Sequence, residues 1–527
     1  MTKKRINCFL IILIPLSLSA YTHLWNLLGF PSIHIDEAHY LRRTLLVLEG
    51  RGPQESAANG YPRTYDHPYF GQLFLASLLS VVGYPNSLNP SSDIASIESL
   101  HLVPRIVMGF LAIVDTFLIY QICQRRYSRS VALIASVFFA VMPLTWILRR
   151  IYLDNLLLPF LLCAILFALY IKPMARDRVN SSQSKYLIND YILALLSGIF
   201  LGLAIYTKIP AFTMIPLVGG LVFFYSKGNL KIVGLWIVPV LLIPLLWPLY
   251  SVVVGQSDLW TYWVLWQTER DKPLYLSIIN FIQMDPVIVI IGFAGIIFAR
   301  IRNDFFPLIW VLPFLFFSFF IGFVQYFHLI VIFPAFCIGS AILLDFLQKI
   351  VRKHTHRILS IMIPVVIGIF GLVATTMLIT TDVNSVYYKV YENIAQNLHK
   401  EDNNKNVNVT VIGSHWWDWN SYWVTQQILH DQHYLIDPMF DPDFKEQLKT
   451  DKVLFIADTN FLQHFNGDVK SKNFQNIVNK YNQSKAVANF IDNVTSRNNG
   501  KYPYNILSVM TLGENRPVGD VQIRTNY

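Results

Sequence analysis

The run YILALLSGIFLGLAIYTK, residues 191–208, decides the fold. Its only charged residue is Lys208, at its end, and its interior is mostly Leu, Ile, Ala, Gly and Phe. An α-helix needs about 20 predominantly apolar residues to cross the hydrocarbon core of a bilayer. The run is therefore predicted to form a transmembrane helix that ends at Lys208.

Apolar runs of the same kind recur through most of the chain. We identify eleven, which begin near Cys8, His101, Val131, Tyr152, Tyr191, Phe212, Lys231, Pro286, Phe305, Tyr326 and Ile358. The first run has the length of a signal peptide, but Leu24-Trp25-Asn26 offers no small-residue cleavage site, so we keep it as a helix. The sequence thus predicts an all-α polytopic membrane protein of about 11 transmembrane helices.

The composition supports a membrane protein and argues against nucleic acid as a partner. The chain is 54% hydrophobic and 14% charged, with a mean hydropathy of +0.42, whereas soluble domains carry about 25% charged residues. The net charge of +9 lies in short Lys and Arg clusters between apolar runs, which is typical of membrane proteins. We therefore expect membrane lipids, and no nucleic acid, around this chain.

The same clusters predict the orientation, because Lys and Arg accumulate in cytoplasmic loops. With the N-terminus inside, the cytoplasmic turns hold Lys3-Lys4-Arg5, Arg125, Arg126, Arg129, Lys172, Arg176, Arg178, Lys185, Lys227, Lys231, Arg300, Arg302, Lys349, Arg352, Lys353 and Arg357. Eleven spans then place the tail outside. We expect an integral protein of the cell (plasma) membrane, with the loop 29–100 and the tail extracytoplasmic.

The tail begins a second domain. Residues 1–381 form the predicted transmembrane domain, and residues 382–527 turn rich in Asn, Asp, Lys and Gln. Short apolar runs at 407–412, 453–457 and 506–510 predict strands, and 386–398 predicts a helix, which together indicate a small extracytoplasmic α/β domain. The aromatic run 415–419 suits either contact with a sugar or packing at the membrane interface.

The positions of the ionisable residues bear on the class of function. Transporters tend to carry carboxylates or histidines near the bilayer centre, whereas the middles of these spans are nearly free of charge, apart from Asp115. Polar groups instead gather at the outer ends: Asp36, Glu37, His39, Asp66, His67, Arg105, Arg149, Arg150, Asp154 and Lys208. This distribution indicates a site at the membrane surface, open to a lipid-borne substrate and to water.

Such a site suits transfer of a sugar from a lipid phosphate. The reaction needs a base for the acceptor's proton and positive charge for the departing phosphate. In the run Asp36-Glu37-Ala38-His39-Tyr40, a helix would place Asp36, His39 and Tyr40 on one face. The alternative is that Asp36 caps a surface helix. The run Asp66-His67-Pro68 alone favours a turn.

Together the two runs resemble the opening of the protein O-mannosyltransferases, in which an Asp-Glu-Ala-His-aromatic stretch precedes an Asp-x-His-Pro stretch. That family shares the GT-C fold of polyprenyl-phosphate-sugar-dependent transferases, including the aminoarabinose transferases of lipid A. The resemblance extends over further motifs at 146–154, Gly198 to Lys208, and Tyr326-Phe327-His328. The chain departs from the family pattern at two positions: it has Tyr69 where the family has a proline, and Gln72 where the family has a lysine.

The resemblance implies an inverting transfer of a mannose-like hexose from a polyprenyl-phosphate donor to an extracytoplasmic acceptor, either protein Ser/Thr or a glycolipid. Asp36 would be the base, assisted by Glu37. Arg105 and Lys208 would meet the phosphate, with Arg149 or Arg150 as a second clamp and Asp154 orienting an arginine. Supporting roles would fall to His39, Tyr40, Asp66, His67, Tyr326 and His328.

Two alternatives stay open. One is a divalent metal ion held by Asp36, Glu37 or His67, although the motifs do not require a metal. A transporter or flippase of lipid-linked sugar would bind the same headgroup with the same arginines. It would differ in needing no general base.

Overall fold

The computed structural model describes residues 3–53, 65–88, 94–171, 183–270, 272–354, 357–402, 409–414, 417, 423–424, 427, 452–459, 461–462, 472–492, 510–511 and 519–527. The chain forms two compact units. Unit one comprises Met1–Trp25, Thr64–Gly71 and Met108–Leu378, and unit two comprises Asn26–Arg63, Gln72–Val107 and Ile379–Tyr527.

Helices make up most of both units. In chain order they are α1 Lys3–Leu24, α2 Ile35–Leu48, α3 Phe70–Ser80, α4 Ile94–Arg126, α5 Arg129–Val141, α6 Leu153–Tyr170, α7 Gln183–Thr207, α8 Ile215–Tyr225, α9 Leu230–Leu242, α10 Leu246–Val253, α11 Ser257–Glu269, α12 Leu274–Met284, α13 Pro286–Ile301, α14 Phe306–Ile321, α15 Phe333–His354, α16 Arg357–Ile379, α17 Ser385–Asp402 and α18 Lys472–Gln483. Short 3₁₀ segments lie at Asn86–Leu88, Pro143–Arg149, Ile209–Met214 and Tyr326–Val331.

The predicted all-α membrane architecture is confirmed. Among the described residues, six helices are long and apolar enough to cross a membrane, or up to eight if two bent pairs each count as one span. The pairs are α5 with Pro143–Arg149, bent by 67°, and α12 with α13, bent by 112°. A proline opens the second element of each pair, where it ends the preceding helix. The other three predicted runs fold as shorter apolar helices, Ile11–Leu24, Ile209–Tyr225 and Phe306–Ile321.

Glycines let two pairs of helices in unit one meet backbone to backbone. A Cβ atom at Gly295 of α13 would lie 2.0 Å from the Gly339 carbonyl oxygen of α15. On α7, Cβ atoms at Gly198 and Gly202 would lie 2.2 and 2.6 Å from the carbonyl oxygens of Trp236 and Pro239 in α9. Small residues at such contacts permit close helix packing within a membrane. The Gly198–Gly202 spacing is therefore explained by packing.

Gly295→Ala should destabilise unit one, because the added methyl group would overlap a backbone carbonyl that cannot rotate away. We expect the free energy of unfolding to fall by about 1–3 kcal/mol, seen as a lower melting temperature in detergent. Gly234→Ala is the matched control, since a Cβ atom there meets nothing within 4 Å. Equal melting temperatures for the two variants would contradict this account of the α13–α15 contact.

Unit two contains a four-stranded sheet, as predicted for the C-terminal region. Its strands are β1 Val409–Ile412, β2 Lys452–Ala457, β3 Lys485–Phe490 and β4 Val521–Thr525. The order is β1-β2-β4-β3, with β1 parallel to β2, the other pairs antiparallel, and a register shift between Ala486 and Ala488 of β3. Buried Ile412, Val453, Phe455, Phe461 and Ile477 form its core.

The sequence located β1, β2 and the helix α17, but it did not predict β3 or β4. The predicted strand 506–510 lies outside the described residues except for Met510, and the aromatic run 415–419 lies outside them except for Trp417. The Trp417 ring is buried and stacks on Tyr387 of α17 with centroids 5.5 Å apart.

Candidate functional site

The predicted site residues divide between the two units. Unit two holds Asp36, Glu37, His39, Tyr40 and Arg105. Unit one holds Asp66, His67, Arg149, Arg150, Asp154, Lys208, Tyr326 and His328.

The acidic pair lies in the first turn of α2, whose N-cap is His34 and not Asp36. His34 precedes the helix, and its Nδ1 accepts a hydrogen bond of 3.3 Å from the backbone N–H of Asp36. Carboxylates in a first turn interact favourably with the helix dipole. Asp36 is half-buried, whereas Glu37 is fully buried. The two neighbouring carboxylates therefore occupy different surroundings.

Glu37 is held by Arg105. The Arg105 Nε donates to Glu37 Oε1 at 2.9 Å and Nη2 donates to Oε2 at 2.7 Å, and both side chains are buried. This bidentate geometry is the strongest form of an arginine–carboxylate contact. Both oxygens of Glu37 are thus committed to an internal ion pair, which disfavours Glu37 as a second base or as a metal ligand.

The other donors of Arg105 bind backbone carbonyl groups just ahead of α2. Nη1 donates to Leu27 at 2.7 Å and to Pro31 at 3.0 Å, and Nη2 reaches the Ser32 oxygen at 3.5 Å. A guanidinium has five N–H groups, and these contacts with Glu37 and the carbonyls occupy all five. Because no N–H remains for a phosphate, we do not assign Arg105 the donor-binding role that the resemblance implied.

His39 and Tyr40 follow on the same helix. Nη2 of Arg42 lies 3.3 Å from His39 Nδ1, one turn along α2. The Tyr40 side chain is buried, and its carbonyl accepts from the hydroxyl of Thr44 at 2.7 Å. Tyr40 therefore packs inside unit two, while His39 stays half-buried beside an arginine.

Arg149 fastens the end of α1. Its Nη1 donates to the Thr22 carbonyl at 3.1 Å and its Nη2 to the Trp25 carbonyl. The last carbonyls of a helix lack partners within the helix, and a cation there also complements the dipole. Buried Arg149 therefore acts as a cap for α1.

Arg150 and Lys208 converge on one segment of unit one, residues 323–328. The Arg150 Nη1 donates to the hydroxyls of Tyr152 at 2.8 Å and Tyr326 at 3.5 Å. The Lys208 Nζ lies 5.6 Å from the Phe327 ring centroid. It donates to Asp154 Oδ2 at 2.6 Å. The sequence analysis expected Asp154 to orient an arginine, and the contact described here is its ion pair with Lys208.

Two cations that were not predicted as site residues, Arg270 and Lys272, reach the same segment. The Arg270 guanidinium carbon lies 3.4 Å from the Phe323 ring centroid, and the Lys272 Nζ donates to the side-chain oxygen of Gln325. Both residues lie between α11 and α12. Their signal in the sequence was two cations in a predicted extracytoplasmic loop, where Lys and Arg are scarce.

His328 ends this segment. Its Nδ1 lies 3.2 Å from the backbone N–H of Gln325 and accepts from it. Desolvation by the surrounding protein, followed by the positive charges of Lys208, His67, Arg270 and Lys272, holds the pKa of His328 well below its usual value. The ring is therefore neutral at neutral pH, and Nε2 carries its proton because Nδ1 is the acceptor.

The Asp66-His67 run connects to these cations. His67 Nε2 lies 3.9 Å from Asp66 Oδ2. The Asp66 carbonyl accepts from Gln267 at 3.3 Å, and the side-chain oxygen of Gln267 accepts from Arg270 at 3.0 Å. In the part of the chain that the structure describes, no three His, Cys, Asp or Glu side chains are grouped so that they could hold a metal ion.

Comparison with known proteins identifies this architecture. The family model described as dolichyl-phosphate-mannose-protein mannosyltransferase matches residues 58–269, a range that contains Arg105, Asp154 and Lys208. The chain is a membrane glycosyltransferase of the GT-C fold. These matches confirm the resemblance to the protein O-mannosyltransferases and to the GT-C transferases. No curated protein matches the chain.

Solved structures of the same fold come from bacteria and archaea. ArnT from Cupriavidus metallidurans bound to undecaprenyl phosphate has a TM-score of 0.54 at 12% identity, covering 99% of this GT-C transferase and 98% of that chain. The Archaeoglobus fulgidus oligosaccharyltransferase tethered with an acceptor peptide has a TM-score of 0.55 at 13% identity, covering 86% and 69%. At these identities the likeness establishes the fold alone.

Arg105→Ala should act on stability, because it leaves Glu37 buried without its counter-charge. Breaking a buried ion pair in this way costs about 3–5 kcal/mol, so we expect a marked fall of the melting temperature in detergent. Arg51→Ala, which breaks the exposed Arg51–Glu49 pair of 3.2 Å, should change it little. An Arg105→Ala enzyme with the wild-type melting temperature and weakened binding of polyprenyl phosphate would contradict the assignment.

Proposed function

We propose that this enzyme moves a mannose-like hexose from a polyprenyl-phosphate donor to an extracytoplasmic acceptor, protein Ser/Thr or a glycolipid, with inversion. The observation that carries the proposal is the convergence of Arg150, Lys208, Arg270 and Lys272 on residues 323–328. These side chains come from separate parts of unit one and contact a single short segment.

Such a concentration of positive charge suits a phosphate. Arg150 and Lys208 are buried cations, and a negatively charged group beside buried cations is favourable. Asp154 supplies one negative charge to Lys208. A phosphodiester would supply another, and it would gain charge-assisted hydrogen bonds from the cations and from the Nε2–H of His328. The same groups would stabilise the negative charge that grows on the leaving phosphate.

Asp36 is the proposed base. Its carboxylate would take the proton of the acceptor hydroxyl while the hydroxyl oxygen attacks the anomeric carbon. The bond between that carbon and the phosphate oxygen breaks, and its electron pair leaves with the phosphate. One displacement of this kind inverts the configuration. The engagement of Glu37 by Arg105 supports Asp36 for this role and gives Glu37 a positioning role.

The comparisons support the proposed donor and acceptor classes. The matching family model names dolichyl-phosphate mannose and protein, which favours mannose and a Ser/Thr acceptor. One neighbour was solved with undecaprenyl phosphate and another with an acceptor peptide. We further propose that the enzyme lies in the plasma membrane with the loop 29–100 and residues 382–527 outside, following the Lys and Arg distribution.

Asp36→Asn should abolish most of the release of mannose from polyprenyl-phosphate mannose by the purified enzyme. Loss of a general base typically costs about 10²–10⁴-fold in rate. Asp258→Asn is the control, because Asp258 is an exposed carboxylate on α11. Equal turnover by wild type and Asp36→Asn would sink the base assignment. Movement of the lipid-linked sugar across vesicles without any transfer product would point instead to a flippase.

Arg270→Gln should weaken binding of polyprenyl phosphate by about tenfold or more, since a hydrogen bond to a charged group contributes about 1.5–3 kcal/mol. Binding can be followed by titrating the purified protein in detergent at two salt concentrations. Arg300→Gln is the matched control, because Arg300 also lies over a ring, 4.2 Å from the centroid of Phe305. Unchanged affinity in Arg270→Gln would remove this cation from the proposed phosphate site.

A further inference from the structure

The segment that precedes α2, residues 27–32, is held through its backbone carbonyl groups. Arg105 binds Leu27 and Ser32, as described above. Further partners come from the beginning of the C-terminal region. The Asn384 Nδ2 donates to Leu28 at 2.7 Å and to Pro31 at 2.8 Å. This pre-helix segment is therefore fastened from two sides within unit two.

Asn384 is itself fixed. Its side chain is buried, and its backbone N–H donates to Asp382 Oδ1 at 3.1 Å. The same oxygen accepts from the N–H of Ser385, where α17 begins, at 3.1 Å. The neighbouring Val383 N–H donates to the Gly29 carbonyl at 2.8 Å. Hydrogen bonds within the turn 382–385 thus fix the position of Asn384, whose side-chain amide binds the pre-helix segment.

Arg105 and Asn384 both bind the backbone of Pro31. Its carbonyl accepts from Arg105 at 3.0 Å and from Asn384 at 2.8 Å. His34, which caps α2 through the N–H of Asp36, follows three residues later. Displacement of Pro31 would therefore displace the cap and the first turn of α2. Because misplacing a reacting group by about 1 Å can cost about 10²-fold in rate, the position of Asp36 depends on these hydrogen bonds.

We propose that Asn384 is a positioning residue for sugar transfer, which acts on Asp36 through the pre-helix segment. The inference rests on the proposed role of Asp36 as base. It extends the reaction machinery to the turn between α16 and α17, outside the matched family range of 58–269. Asn384 touches neither donor nor acceptor in this proposal, so its loss affects the chemical step rather than the affinity for the donor.

The test compares kcat and KM for release of mannose from polyprenyl-phosphate mannose by the full-length enzyme. Asn384→Ala removes both donors, and Asn384→Asp removes them with almost no change of shape. We expect kcat to fall about tenfold or more in both, with the donor KM changed by less than about threefold. Thr375→Val is the matched control, since it removes one buried hydroxyl-to-carbonyl bond of 2.7 Å to Val141.

Two further measurements separate positioning from a general structural role. The melting temperature of each variant in detergent should fall no further than that of Thr375→Val. In a double-mutant cycle with Asp36→Glu, the effect of Asn384→Ala on kcat should be much smaller than in the wild type, because both substitutions disturb the same proton transfer.

Several results would overturn the proposal. An unchanged kcat in Asn384→Ala and Asn384→Asp would do so, as would a loss of rate that merely follows the loss of folded protein. Full additivity in the cycle would also contradict an action through Asp36. The proposed function fails differently, because in that case Asp36→Asn itself retains wild-type turnover.

Discussion

The ion pair of Glu37 and Arg105 is the interaction on which the arrangement of the first loop depends. Two buried charges are unfavourable alone, and their mutual attraction compensates only when the geometry is good and the remaining donors are satisfied. Both conditions hold, because the pair is bidentate and the other donors of Arg105 bind carbonyls of residues 27–32. The pair therefore fixes the backbone that leads into α2, and it leaves Asp36 as the half-buried carboxylate of the run. Arg105, which the resemblance assigned to the donor phosphate, thus holds Glu37 and the segment 27–32 in place.

Positive charge plays different parts at different sites of the fold. Arg149 satisfies carbonyls at the end of α1, whereas Arg150 reaches two tyrosine hydroxyls although it is the next residue. The 3₁₀ segment at Pro143–Arg149 separates their directions, because it ends between the two. Lys208 is held by Asp154, so its ammonium sits at a fixed place beside Phe327. The local backbone thus decides which cations bind backbone carbonyl groups, as Arg149 does, and which contact residues 323–328, as Arg150 and Lys208 do.

Much of the fold could be predicted from the sequence, because a bilayer requires long apolar helices and the motif runs mark their outer ends. The spacing of Asp36, His39 and Tyr40 suited a helix, which the structure contains as α2. The pairs Glu37–Arg105 and Asp154–Lys208 were not predicted. The carbonyl partners of Arg105 and Arg149 could not be predicted, since they are backbone groups supplied by distant segments. Arg270 and Lys272 were missed because two cations in a loop resemble ordinary surface charge until the fold brings them to Phe323 and Gln325. β4 alternates apolar and polar residues, but its place between β2 and β3 depends on long-range pairing.

The hydrogen bonds of Asn384 bear on where this chain can be divided. The change in composition near residue 382 invites expression of the membrane helices and the tail as separate pieces. A piece that ended at residue 381 would keep every predicted span, yet the carbonyls of Leu28 and Pro31 would lose their amide partner. The change in composition near residue 382 therefore does not mark the end of a part of the chain that is stable without the residues that follow it. Any shortened enzyme, or any chimera with a foreign tail, has to carry the turn 382–385 with its membrane half.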